Sequence, residues 1–430
     1  MKNKDLFTLN PEQVNLKNEG VAKIRAINEN EDLSIAEYEL KTFVCEGEYH
    51  LGLKKMLETY LLSYDSPGQN KVPEQPAYWV SGFYGSGKSH LVKMASYLWS
   101  DFEFPDGKKA RNIKPLPQDI QDLFVEIDRK QKIQGKLSIA GTLRDFPSKD
   151  IRYSFLQIFL NSLGLPKQYH HFKFVHWLKK EDLYDGVKAI LEANGKKLNA
   201  EIERIFVSTS LAKAVLEMKP EIADNEAKLL ELFRAQFARQ ETIGREDFVK
   251  TIREEILPLF YGDKIPCTII ILDEVQQFIG QDGNLAFDVQ LLAEDLCSRF
   301  DGKFLLAGTG QNALTDTPIL QKLLARFRVP IQLTNTDIQT VIRKTILDKK
   351  PSSIVPLNAK LDSALGEISR NLEGSVFGYL TEDKHNLAAD YPLLPTTRKF
   401  WYKVLQVIDV AGAQGQLRNQ LRLIDDSLKL

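Results

Sequence analysis

The chain has 430 residues, with 57 Lys and Arg against 58 Asp and Glu and a formal net charge of −1. That length exceeds what one core fills, so two or three domains are expected, and the charge balance excludes a global attraction to nucleic acid or to a membrane surface. No apolar run approaches the roughly 18 residues of a membrane span, MKNKDLFTLNPEQ at the start lacks a signal-peptide core, and Cys45, Cys267 and Cys297 form no CxxC pair, which predicts a cytoplasmic protein with buried thiols.

Residues 1–75 read as a helical or mixed N-terminal region. Leu53, Met56, Leu57, Tyr60 and Leu61 recur at helical spacing, and the turn-rich SPGQNKVPEQP then marks a boundary. From residue 76 the pattern becomes strand, loop, helix: AYWVS is a short apolar run, a glycine-rich loop follows, and KSHLVKMASYLW is amphipathic. GKLSIAGTL (Gly135–Leu143) is a candidate further strand. CTIIILDE (Cys267–Glu274) and KFLLAGTG (Lys303–Gly310) are continuous apolar runs of the kind buried on both faces of a parallel sheet. LAFDVQLLAEDLCSRF between them suits a helical crossover, and ILQKLLARFRVPIQLT reads as helix then strand. The expected fold class is α/β with a largely parallel sheet.

Lys88 and Asp273 lie 185 positions apart, far more than the ~30 residues of one βαβ unit. The surplus, with helical patterns in IRYSFLQIFLNSLG, AKLLELFRAQFARQ and REDFVKTIREEILPLF, predicts a helical insertion over about 151–262 inside a core spanning 76–334. Residues 335–430 hold four further helical patterns, DIQTVIRKTIL, LDSALGEISRNL, RKFWYKVLQVIDVAG and QLRNQLRLIDDSL, which predict a lid bundle.

Gly82-Phe83-Tyr84-Gly85-Ser86-Gly87-Lys88-Ser89 matches GxxxxGK[ST], placed after a predicted strand and before a predicted helix. Backbone N–H groups of such a loop curl around phosphates at a helix N-terminus. Lys88 then reaches the β- and γ-phosphates of ATP and Ser89 ligates Mg²⁺; His90 adjoins the loop and is grouped with it. At the end of the Cys267 strand, Asp273 is positioned to hold Mg²⁺ and Glu274 to activate water, the alternative being acids that start the next helix. Thr309 and Gln311 end the following strand and either orient the water and γ-phosphate or satisfy a turn. Arg326 and Arg328 are candidate arginine fingers for a neighbouring subunit, or complements of a helix dipole. These motifs predict ATP binding with hydrolysis, or an ATP-dependent switch that scarcely turns over.

The order of P-loop, acid-ended strand, polar-ended strand, paired arginines and helical lid resembles AAA+ ATPases. PAYWVSGFYGSGKSHLVKMASYLW, VEIDRK, TIIILDEVQQF, the N-terminal NEGVAKI and ELKTFVCEGEYHLGLKKMLETYL, and YPLLPTTRKFWYKVLQVIDVAGAQGQLRNQLRLIDDSL resemble, more specifically, the P-loop protein of BREX phage-defence systems (the BrxC/PglY type). Members of that family are considerably longer, so the chain is similar to their N-terminal ATPase portion. An arginine finger acting in trans predicts a homo-oligomer; the resemblance implies partners that include a DNA methyltransferase and a phosphatase-like protein, and a γ-phosphate-reading role for Arg418, whose residue-level alternative is a surface ion pair. Direct DNA contact is a separate question: PKQYHHFKFVHWLKK (Pro166–Lys180) sets His170, His171, His176 and four lysines among aromatics, which suits either nucleic-acid stacking or a solvated helix face over an aromatic core.

Overall fold

A computed structural model describes residues 3–8, 33–65, 74–82, 86–148, 150–370, 372–408 and 424. Its centre is a sheet of five strands, β1 (Tyr78–Ser81), β2 (Lys136–Thr142), β3 (Cys267–Asp273), β4 (Phe304–Gly310) and β5 (Val329–Gln332), in the order β2-β3-β4-β1-β5. Every pairing is parallel. β3 and β4 are buried along their whole length, as their unbroken apolar sequences require of inner strands.

Helices cover both faces. On one lie α1 (Leu33–Thr42), α2 (Gly47–Asp65), α3 (Lys88–Ser100), α4 (Ala110–Ile113) and α5 (Gln118–Gln134). They share a core with Tyr78, Val80, Ile269, Ile271, Leu305 and Ala307. The alternate strand residues, Trp79, Ile270, Leu272 and Leu306, face the other layer, as the two-residue strand period demands. The sequence boundary at 75 therefore does not separate two cores, because α1 and α2 are built into one layer of the sandwich. Trp79 and Trp99 are fully buried on opposite layers, each worth on the order of 3 kcal/mol or more of apolar burial.

Between β2 and β3 run α6 (Ile151–Ser162), α7 (Tyr169–Lys180), α8 (Tyr184–Ala193), α9 (Leu198–Ile202), α10 (Thr209–Met218), α11 (Glu226–Gln236), α12 (Arg245–Lys250), a π turn over Thr251–Ile256, and α13 (Pro258–Tyr261). Two parts can be told apart by packing. α6, α12 and the π turn lie on the sheet, while α7 to α11 enclose their own core around Phe174, Val187, Val215 and Phe233. His170 and His171 are buried, and Lys173 pairs with Glu255 at 2.7 Å; the basic and aromatic run of α7 thus contributes much of itself to the interior.

α14 (Val275–Ile279) and α15 (Gly283–Ser298) lead from β3 to β4. Asp282 caps α15 by accepting from Asn284 N at 2.7 Å and Leu285 N at 3.4 Å, satisfying donors a helix start leaves open. α16 (Pro318–Gln321) precedes β5, and α17 (Asn335–Thr345), α18 (Pro351–Arg370), α19 (Leu387–Asp390) and α20 (Pro395–Ile408) follow it. Residues 3–8 pack on these last helices: Leu6 and Phe7 join Ile342, Ile346 and Leu347 in one cluster, and Phe7 bridges Lys349. The three cysteines are buried free thiols. No described helix is long and apolar enough to cross a membrane.

Candidate functional site

The site lies at the carboxyl end of the sheet. β1 delivers the chain to Gly82, and α3 begins at Lys88; Phe83, Tyr84 and Gly85 lie outside the described residues. Two glycines are required by their surroundings. A Cβ on Gly82 would stand 2.6 Å from Ser86 Oγ and 3.0 Å from Leu333 O. Gly87 has φ 86°, and a Cβ there would collide with the Tyr49 hydroxyl, so both backbone sign and space exclude a side chain.

Lys88 is buried and donates from Nζ to Gly82 O at 2.8 Å. Burial draws its pKa down to about 8, against the opposing pull of Asp273 and then Glu274. The ammonium thus bends back over the loop and still feels both acids of β3. Ser86 is fully buried, and its hydroxyl has no partner among the described residues. An orphaned buried hydroxyl costs stability unless a ligand or water meets it. Ser89 follows Lys88 in the first turn of α3 and is half-buried. His90 belongs to the same turn, but its ring packs edge-on against Phe43, with centroids 5.7 Å apart. Successive helix positions are ~100° apart, and His90 is consequently turned toward the N-terminal helices; burial holds its pKa below the ordinary range.

Strand β4 lies between β1 and β3 and joins the loop to the acids. Its Thr309 is buried, donates its hydroxyl to Asp273 Oδ1, and accepts the Glu274 N–H at 3.0 Å. Glu274 has left-handed φ 54° and ψ 33°, a conformation that costs a non-glycine residue on the order of 1 kcal/mol or more. The Thr309 bond helps to hold it there. This turn breaks the strand direction at Asp273 and leaves the Glu274 carboxylate partly exposed.

Two residues that the sequence reading did not single out complete this edge. Arg144 Nη1 lies 3.4 Å from Glu274 Oε2; it follows β2, whose Thr142 stands in register with Asp273. Gln276 Oε1 accepts from Gln311 N at 2.6 Å and Asn312 N at 2.9 Å. Gln311 is therefore fixed through its backbone, while its side chain is exposed. The signal for Arg144 existed, two positions past the KLSIAGT strand, but only the strand order makes it a neighbour of Glu274.

Arg326 and Arg328 lie elsewhere. Arg326 O accepts from Ala77 N at 3.0 Å, at the amino end of β1, so a four-residue strand of roughly 13 Å separates it from the loop. Its guanidinium bonds Glu74 at 2.5 Å and Glu294 at 3.0 Å. Arg328 is exposed, and its Nε donates to Ala325 O at 3.1 Å. Neither is positioned to act on the loop of its own chain. Arg418 lies outside the described residues. Among the described residues no group of three or more His, Cys, Asp or Glu side chains could hold a metal ion; Ser89 with Asp273 would offer Mg²⁺ one hydroxyl and one carboxylate, the sparse protein ligation typical of that ion on phosphates.

No protein-family model matches the chain, and no solved structure matches it.

Proposed function

We propose that the protein binds Mg-ATP at Gly82–Ser89 and hydrolyses it, as a P-loop ATPase of AAA+ type. One observation carries the reading: the GxxxxGK[ST] segment turns from β1 into α3, while the acid pair ends β3 on the far side of β4, whose Thr309 touches both acids. β1 also stands where the chain's crossovers diverge, with β4 on one side and β5 on the other. Open α/β sheets bind ligands outside the carboxyl ends of strands at such a switch point. The buried Lys88, the orphaned Ser86 hydroxyl and the two crowded glycines suit an anion that enters the loop.

In this reading Lys88 leaves Gly82 O to meet the phosphates, and the first N–H groups of α3 face them. Ser89 and Asp273 hold Mg²⁺, which supplies neutralising charge to the phosphate oxygens. Glu274 polarises the attacking water, and Thr309 keeps both acids oriented. An arginine from a second copy of the chain, Arg326 or Arg328, completes the charge stabilisation, so the active species is a homo-oligomer.

The test is a pair of variants. Glu274→Gln is expected to keep ATP affinity and lose hydrolysis by 100-fold or more, while Lys88→Ala loses binding. Parental turnover in Glu274→Gln removes the assigned base, and parental affinity in Lys88→Ala removes the site. A second reading, ATP-gated switching with negligible turnover, draws support from the Arg144 contact that occupies Glu274. Turnover measured against protein concentration separates the two: a rising specific activity favours a trans arginine, a flat line near zero the switch.

The biological setting rests on the sequence resemblance alone. By that resemblance the ATPase serves a cytoplasmic anti-phage BREX assembly, where nucleotide state drives or gates engagement of DNA or of the methyltransferase and phosphatase-like partners.

A further inference from the structure

We infer that Tyr49 is a positioning residue for the phosphate loop, which makes the first turn of α2 part of the nucleotide site. This rests on the reading of Gly82–Ser89 as that loop. Tyr49 is 2 % exposed, and its hydroxyl donates to the Ser86 carbonyl at 2.5 Å. The ring fills the space where any side chain at Gly87 would go. A peptide unit is planar and trans, so its C=O and N–H point in opposite directions. By holding the Ser86 carbonyl toward α2, Tyr49 turns the Gly87 N–H away from α2. That donor immediately precedes Lys88, where an anion at the start of α3 would sit.

The geometry gives this bond a specific purpose. A peptide next to glycine rotates at little steric cost, and a rotated Ser86–Gly87 unit would present a carbonyl oxygen to the phosphates in place of an N–H. Tyr49 opposes that rotation from a fixed base. His50 and Lys54 of α2 each meet Asp119 of α5 at 3.0 Å. Gly52 lies so close to β5 that a Cβ on it would stand 2.7 Å from Ile331 Cγ2. α2 is thus braced against both α5 and the sheet.

The experiment uses the full chain with Tyr49→Phe, which keeps the ring and removes the donor. Affinity is measured by calorimetry for Mg-ATP and for inorganic tripolyphosphate, which has no base or sugar. Both affinities are expected to fall by the same factor, about 10-fold. KM should rise by a similar factor with kcat within about twofold, because the N–H serves ground state and transition state alike. The ligand-induced rise in melting temperature, referenced to each variant's own unliganded midpoint, reads the same loss even if Tyr49→Phe melts lower. A Tyr49→Phe protein that binds both ligands within twofold of the parent overturns the inference, as does a loss seen for ATP but not for tripolyphosphate. Parental binding by Lys88→Ala instead overturns the nucleotide reading itself, so the two failures are distinguishable.

Discussion

The Thr309 hydroxyl donates to the Asp273 carboxylate and in the same position accepts the backbone N–H of Glu274. One oxygen therefore sets both the rotamer of the proposed Mg²⁺ ligand and the left-handed turn that presents the proposed base. Thr309→Val keeps the shape and removes both bonds. We expect single-turnover hydrolysis to fall by roughly 10- to 100-fold, with ATP affinity changed less than about threefold. A Val variant that hydrolyses at the parental rate would show that Asp273 and Glu274 hold their geometry unaided.

The two arginines before β5 should behave differently. Arg326 is engaged by Glu74 and Glu294, and its loss should lower unfolding stability by about 1 kcal/mol in urea titrations, since the pairs are only partly screened from water. Arg328 makes no ion pair among the described residues, so Arg328→Ala should leave stability and ATP binding intact. If it is the arginine that serves a neighbouring copy, its removal costs on the order of 10³ in turnover and abolishes the rise of specific activity with concentration. Loss of that rise in Arg326→Ala alone would assign the role to Arg326.

Glu39 of α1 and Lys93 of α3 form a buried ion pair at 2.6 Å, 3 % and 8 % exposed. Removing one partner strands a charge in the interior, so Glu39→Ala should cost about 3–5 kcal/mol in chemical denaturation, whereas Glu39→Leu with Lys93→Met should recover most of it. Equal stability of the single and double variants would mean that water reaches the site.

His170 in α7 is 4 % exposed and stacks on Phe206, with both ring nitrogens lacking a partner among the described residues. Burial is the main cause, with His171 and Arg239 adding to it, that pulls its pKa from 6.5 down to about 4. The folded state therefore resists protonation. Its contribution to stability is fully present above the unfolded pKa of 6.5 and is lost as pH falls toward 4, a loss on the order of 3 kcal/mol at the acid limit. His170→Phe should flatten the fall in unfolding free energy between pH 6.5 and 4; an unchanged slope would place the acid sensitivity elsewhere.

What the sequence made legible was local. The buried strand β3 shows in an unbroken Thr-Ile-Ile-Ile-Leu run, and the turn into α3 shows in glycines that no side chain could replace. The relations that build the site are not local. Arg144 and Glu274 meet because β2 is beside β3, and Tyr49 meets Ser86 because α2 lies beside α3 and β5; helical spacing in α2 says which face is apolar, not what covers it. Gln276 was invisible for the same reason, since its amide binds the backbone beyond β4. His90 was grouped with the loop by adjacency, and the helical rotation between neighbouring residues turned it onto Phe43. A largely parallel sheet is legible in the apolar runs, with Gly135–Leu143 as a candidate strand; that all five strands are parallel, and their order, is not.

Residues 3–8 belong spatially to helices more than 330 positions later. Thr8 N donates to Asp348 O at 2.8 Å, Lys350 N to Leu6 O at 2.9 Å, and Lys349 sends Nζ to Ala389 O with Phe7 beneath it. The covalent order of the chain and its mechanical order thus disagree. A tag, cleavage or deletion at Leu6 or Phe7 is in effect a lesion of α17 to α19.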